Sequence, residues 1–174
     1  MSNIYDIADA FLRKDSLDAR KIQYLCYYFK GWSLAKFNAD YLEQYNFFVT
    51  EFGPMNEHLL DKFPDVEDDV KYIPDKGDLN ITMMERQLVE SVWRTYGDWS
   101  TEELMIQSKM EPPYLLARVG NMYEDEEIDE NIRVEHMNIY FKGLANNEYH
   151  TVEDYYPPYE EEIINIGRVR REKI

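Results

Sequence analysis

Apolar side chains recur every three or four residues in several segments of the chain, the pattern of helices with one buried face. A short first helix carries that face on Ile4, Ile7, Ala8, Phe11 and Leu12. A stronger pattern begins near residue 18 and predicts a central buried helix, with its apolar face on Ile22, Leu25, Cys26, Phe29, Trp32 and Ala35. Gly31 interrupts this helix at a cost, so we expect a neighbouring element to pack closely there.

The segment that follows favours a strand. Residues 45–52 are rich in aromatic and β-branched types and are too few for a stable helix. We expect this strand to end at Gly53 and Pro54, and a third helix to cover residues 55–63. Residues 64–80 are acidic and turn-rich, and they predict a loop or hairpin around a short strand at 70–73.

Two helix starts are marked by capping-box spacing. Thr82 and Ser100 each stand three residues before a glutamate and precede an apolar run. The first helix is expected to end at Gly97, and the second before the prolines at 112–113. A last helix is predicted over residues 133–143.

These elements predict a mainly α fold with a small β element (α+β). At 174 residues the chain is long enough for one domain with its own core. We expect a single compact helical domain over residues 1–143, with a short sheet or hairpin, and a C-terminal extension over residues 144–174. The extension has little helical period and is predicted to be an extended arm.

The chain is strongly acidic, with a formal net charge of −16. Acidic residues outnumber basic ones by 16 to 10 through Arg86 and by 19 to 9 after it, and residues 124–130 contain six carboxylates. Such a charge repels nucleic acid and favours basic partners. Acidity that serves only solubility explains the same numbers, and both interpretations stay open.

Several classes of protein are disfavoured by what the sequence contains. Cys26 is the single cysteine, so an internal disulfide or a cysteine zinc site is excluded. No segment has the roughly 20 apolar residues of a membrane span, and the N-terminus shows no basic region followed by an apolar run. A cytoplasmic location without membrane contact is therefore expected.

No metal site, cofactor or catalytic centre is predicted. The histidines at positions 58, 136 and 150 do not form a ligand motif, and the seven glycines stand singly rather than in a phosphate-binding loop. Carboxylate pairs such as 102–103 and 126–127 could serve as acid and base or as calcium ligands. We interpret them as solvated faces, because they do not follow the calcium-loop spacing.

Aromatic residues form the most unusual group, crowding the central helix at Tyr24, Tyr27, Tyr28, Phe29 and Trp32. In one interpretation Tyr27 and Tyr28 leave the core side and act as binding anchors, as amphipathic aromatics do at interfaces. In the other, the helix is sandwiched between other elements that bury all five rings. The sequence does not decide between them.

Five blocks of sequence in a fixed order resemble the Panacea domain of SocA-like antitoxins and phage-associated GepA proteins. The blocks are residues 21–35 (KIQYLCYY followed by GWSLA), 47–54 (FFVTEFGP), 92–104 (VWRTYGDWSTEEL), 111–114 (EPPY) and 132–141 (IRVEHMNIYF). Tyr114 stands where that family usually has Trp, and the segment after Gly143 has no counterpart in it.

The resemblance implies a cytoplasmic, non-enzymatic antitoxin of a type II toxin–antitoxin system, which binds and neutralises a cognate protein toxin or, in SocA-like members, delivers one to a protease. An acidic surface suits such a partner when the partner is basic. The hypothetical partner-binding residues are Tyr27, Tyr28, Trp32, Phe52, Gly53, Pro54, Tyr155, Tyr156 and Tyr159. Homo-oligomer formation stays open.

Two other classes of function are weighed against the antitoxin. An acidic inhibitor from a phage or prophage could mimic DNA and block a host nuclease or defence system. An enzyme with an unrecognised carboxylate site would instead depend on residues such as those at 124–130.

Overall fold

The computed structural model describes residues 1–66, 70–120 and 131–148. Within these ranges the chain forms seven helices and four short strands, so the predicted α+β class is confirmed. The helices are α1 (Ile4–Leu12), α2 (Ala19–Phe37), α3 (Glu57–Lys62), α4 (Met83–Tyr96), α5 (Thr101–Met110), α6 (Pro112–Gly120) and α7 (Val134–Ala145). The strands are β1 (Leu17–Asp18), β2 (Phe48–Thr50), β3 (Gly53–Met55) and β4 (Lys71–Tyr72).

Helix α2 is the centre of the core, as its apolar pattern predicts. It packs against α1, α4, α5 and α7, and every residue of the segment 22–31 is buried. The expected close approach at Gly31 is confirmed, because a Cβ atom placed there would lie 2.2 Å from Cε2 of Phe141 on α7. The glycine therefore lets α7 pack directly on the backbone of α2.

The small β element consists of two antiparallel pairs. Strand β1 pairs with β4, Leu17 lying opposite Tyr72, and β2 pairs with β3, Phe48 lying opposite Met55. The predicted strand at 45–52 is therefore shorter than expected, and residues 53–55 continue the hairpin. Helix α3 begins only after Asn56, whose Oδ1 accepts hydrogen bonds from the backbone N–H groups of His58 and Leu59.

The two predicted capping starts are confirmed. Thr82 caps α4, and Ser100 forms a complete capping box with Glu103 at the start of α5. Helix α6 does not follow from the sequence pattern, in which the prolines at 112–113 indicate only the end of α5. Proline also suits the first turn of a helix, where its missing N–H is not needed.

The final described helix, α7, runs two residues past the predicted stop at Gly143. The boundary predicted between residues 143 and 144 thus falls inside a helix. No helix among the described residues is long and apolar enough to cross a membrane. The acidic run at 124–130 and the tyrosines Tyr155, Tyr156 and Tyr159 lie outside the described residues.

Candidate protein-binding surface

Tyr27 and Tyr28 are core residues, so their interpretation as surface anchors is wrong. Both are 0% exposed. The ring of Tyr27 packs edge-on against Phe47 at 5.5 Å, and the ring of Tyr28 stacks on Tyr96 at 4.0 Å. The alternative of a sandwiched helix is correct for four of the five rings, because neighbouring elements bury Tyr24, Tyr27, Tyr28 and Phe29, whereas Trp32 is only partly buried.

Trp32 is partly buried and is tied to the core. Its Nε1 donates a hydrogen bond to the hydroxyl of Tyr96 at 2.9 Å, and its ring packs against Phe141 at 5.5 Å. The exposed part borders a small depression of about 70 Å³ between α2 and α4, lined also by Lys36 and Val92. A depression of this size has room for a few water molecules.

The turn at residues 52–54 belongs to the β2–β3 hairpin. Gly53 and Pro54 are buried, whereas Phe52 is partly exposed. Gly53 has a φ of +108°, and a Cβ atom there would lie 3.0 Å from Cε1 of Tyr24. Glycine is required both by its φ and by this close approach. Of the three predicted contact residues, only Phe52 is available to a partner.

Three consecutive carbonyl groups hold this hairpin against the helices. The carbonyl of Thr50 accepts from the Tyr114 hydroxyl at 2.6 Å, that of residue 51 from Lys109 Nζ at 2.7 Å, and that of residue 52 from the Tyr24 hydroxyl. The Arg20 guanidinium lies 3.7 Å from the centre of the Phe52 ring. These contacts hold the turn against α2, α5 and α6, and Phe52 itself contacts Arg20 and Tyr24 of α2.

Glu111 is the centre of a buried polar cluster between α2, α5 and α7. Its side chain accepts hydrogen bonds from the hydroxyl groups of Tyr28 at 2.9 Å and Tyr140 at 2.8 Å, and from Gln107 Nε2 at 3.3 Å. Burial raises the pKa of Glu111 from 4.5 to about 7, against the opposing effect of these hydrogen bonds. Ionising this carboxyl group in the folded protein therefore carries a desolvation cost that its hydrogen bonds do not fully offset.

The blocks that carry the family resemblance meet in this interior. Tyr28, Tyr96, Glu111 and Phe141 come from four of the five blocks and contact one another directly or through one neighbour. The turn at residues 52–54 joins them through Tyr24. These residues of the five blocks therefore act in packing. The sequence pattern did not identify Glu111 as the centre of the buried polar cluster, although Glu111 lies in the 111–114 block.

A different surface has the properties of a binding site. Trp99, Glu103, Ile106 and Gln107 line an open groove of about 380 Å³ along α5. Ile106 is 50% exposed, and Met110, one turn further, is 68% exposed. Spacing of four residues places Glu102, Ile106 and Met110 on one face of the helix. We call the solvent-accessible side chains of residues 98–110 the α5 face.

The α5 face is acidic as well as apolar. The side chains of Glu102 and Glu103 are exposed one turn before Ile106 on α5, and that of Asp98 is exposed next to Trp99 in the chain. The nearby amino group of Lys21 is held by the backbone carbonyls of Gly97 and Trp99, at 2.7 and 2.8 Å. The face therefore combines accessible hydrophobic contacts with a negative rim, and sequence reasoning assigned its carboxylates only to a solvated surface.

The overall acidity, by contrast, lies mostly elsewhere. The described ranges contain 20 of the 35 acidic residues and 15 of the 19 basic ones, so they carry −5 and the other residues carry −11. No group of three or more histidine, cysteine, aspartate or glutamate side chains within the described ranges is placed to hold a metal ion. Comparison with protein-family models, curated proteins and solved structures finds no match for this chain.

Proposed function

We propose that this chain is an antitoxin that binds and neutralises a cognate protein toxin through the α5 face. The observation that carries the proposal is the exposed pair Ile106 and Met110 beside an open groove with a carboxylate rim. Large apolar side chains that stay exposed next to a groove are typical of sites for protein partners. The five-block resemblance supplies the class of partner.

Contacts at several points hold helix α5 in place, so the α5 face is a rigid surface. The capping box holds its first turn, and Leu104 and Ser108 are 0% exposed on its inner side. Lys109 ties its last turn to the β2–β3 hairpin. A rigid surface loses little conformational entropy on binding, so more of the contact energy appears as affinity.

The surface also defines the chemistry of the partner. Apolar side chains of the toxin would fill the groove, and its lysine or arginine side chains would lie near Asp98, Glu102 and Glu103. Opposite charges at the edge of an interface speed association and select the partner more than they add affinity. In this proposal the antitoxin acts in the cytoplasm, performs no catalysis, uses no cofactor and does not bind nucleic acid.

The DNA-mimic alternative depends on a dense array of carboxylates. The described part of the chain has acidic and basic residues in a ratio of 20 to 15, which does not resemble the uniform charge of a phosphate backbone. The acidic run at 124–130 lies outside that part. The described surface therefore favours the antitoxin.

Co-expression with the product of the neighbouring gene tests the proposal. We expect that product alone to stop growth, and co-expression of this chain to restore growth and to yield a complex that co-purifies. Restored growth without a complex, or a complex with an isolated nuclease in place of the neighbouring product, would contradict the antitoxin assignment.

A further inference from the structure

The last twelve residues of the chain have the chemistry that the α5 face requires of a ligand. Residues 163–174 contain the apolar side chains Ile163, Ile164, Ile166, Val169 and Ile174, the basic side chains Arg168, Arg170, Arg171 and Lys173, and one acidic side chain, Glu172. These four are the basic residues of the chain outside the described ranges. An apolar and basic segment of this kind complements an apolar groove with an acidic rim.

We propose that residues 163–174 occupy the α5 face of their own chain when no partner is bound, and so compete with the partner for it. The competition rests on the proposed function, whereas the contact within the chain does not. The segment would place isoleucine side chains against Ile106 and Met110, and its arginine side chains near Glu102 and Glu103.

The connection is long enough for this contact. Helix α7 ends near the C-terminal end of α2, where Lys142 Nζ donates to Asn38 Oδ1 at 2.6 Å. The groove begins near the other end of α2, where Lys21 Nζ contacts the Trp99 carbonyl. The length of α2 between Lys21 and Asn38 is about 25 Å at ~1.5 Å per residue. Residues 149–162 can span about 45 Å at ~3.3 Å per residue, so the reach is sufficient.

A second exposed apolar pair shows why the α5 face is the favoured site. Met83 and Met84 at the start of α4 are 76% and 46% exposed, respectively. The exposed side chain of Arg86 follows them on the same helix. A basic segment would therefore gain less electrostatic attraction from the surface at Met83 and Met84 than from the α5 face, which has three carboxylates. The same pair supplies a matched control of similar exposure and chemistry.

Contact between residues 163–174 and the α5 face would lower the apparent affinity for the toxin, because the toxin must displace the segment. A partner with the stronger contacts would still win, and the segment would suppress binding to weaker basic proteins. The segment would lower the apparent affinity for every competing partner by the same factor, which leaves weakly binding basic proteins unbound at concentrations where the toxin still binds.

Hydrogen exchange of the complete chain, without any partner, tests the contact. We expect the amides of residues 163–174 to be protected, and the double variant Ile106→Lys, Met110→Lys to increase their exchange rate at least about tenfold, equivalent to a loss of about 1.4 kcal/mol. The control variant Met83→Lys, Met84→Lys should exchange like the wild type. Circular dichroism checks that both variants keep the fold.

Three outcomes would overturn the proposal: no protection in the wild type, equal loss of protection in both variants, or protection that depends on protein concentration. The last would assign the contact to a second copy of the chain. Because the toxin is absent from this experiment, each of these results leaves the antitoxin proposal standing. Failure of the co-expression test, in turn, does not affect the exchange result.

Discussion

Glu111 is the most heavily constrained side chain of the described core. It is 3% exposed, and its three hydrogen-bond donors are neutral groups: two tyrosine hydroxyls and one amide. Neutral donors compensate a buried charge less completely than a cation does. The folded protein therefore favours the protonated carboxyl group, which explains why burial raises its pKa to about 7.

Stability should consequently depend on pH through this residue. The pKa is raised from 4.5 to about 7 in the folded state, so the stabilisation is complete below pH 4.5 and is lost as the pH rises through 7. The loss amounts to about 3 kcal/mol, because each tenfold difference between the two protonation equilibria corresponds to ~1.4 kcal/mol. We expect the free energy of unfolding of the variant Glu111→Gln to lack this pH-dependent loss.

Urea unfolding of both proteins between pH 5 and pH 8 measures the difference. The wild type should lose free energy of unfolding relative to Glu111→Gln as the pH rises. Curves that stay parallel over this range would show that Glu111 is ionised in the folded state already at pH 5.

Helices marked by a clear apolar face or by a capping residue could be predicted from the sequence. Helix α6, which begins at a proline pair, could not. Helix α2 and the caps at Thr82 and Ser100 follow from local spacing, which the final fold preserves. Helix α6 was missed because a proline pair signals both an end and a beginning. The burial of Tyr27 and Tyr28 depends on which elements cover α2, and that is a property of tertiary packing alone.

The β2–β3 hairpin offers a test of the close packing at its turn. Gly53 and Gly77 have similar positive φ angles, +108° and +112°, but no atom lies within 4 Å of a Cβ placed at Gly77. We expect Gly77→Ala to cost only the backbone strain, about 1–2 kcal/mol. Gly53→Ala should cost about 1–3 kcal/mol more, because Tyr24 and Ser108 would be displaced.

Thermal unfolding of the two alanine variants gives this comparison directly. Equal losses of stability would mean that the contacts of the turn with Tyr24 and Ser108 yield easily, and that the hairpin is not held rigidly beside α5.

At the scale of the whole molecule, the core and the proposed binding surface share one of the five blocks, residues 92–104. Tyr28, Glu111 and Phe141 show that the blocks resembling the Panacea domain contribute to the core, but block 92–104 also supplies the carboxylates of the α5 face. Ile106 and Met110 lie outside the five blocks and are exposed. The sequence could not single out this face, because an exposed isoleucine or methionine looks like a core residue until the fold is known.

The dissociation constant of the complex with the co-expressed partner tests the role of this face most directly. Calorimetry should show that Ile106→Lys, Met110→Lys weakens binding at least about 30-fold, equivalent to about 2 kcal/mol, because two apolar contacts are replaced by charges that repel a basic partner. The control Met83→Lys, Met84→Lys should bind within about threefold of the wild type. Unchanged binding by the α5 variant, or equal weakening in both, would contradict the assignment of the α5 face as the partner-binding surface.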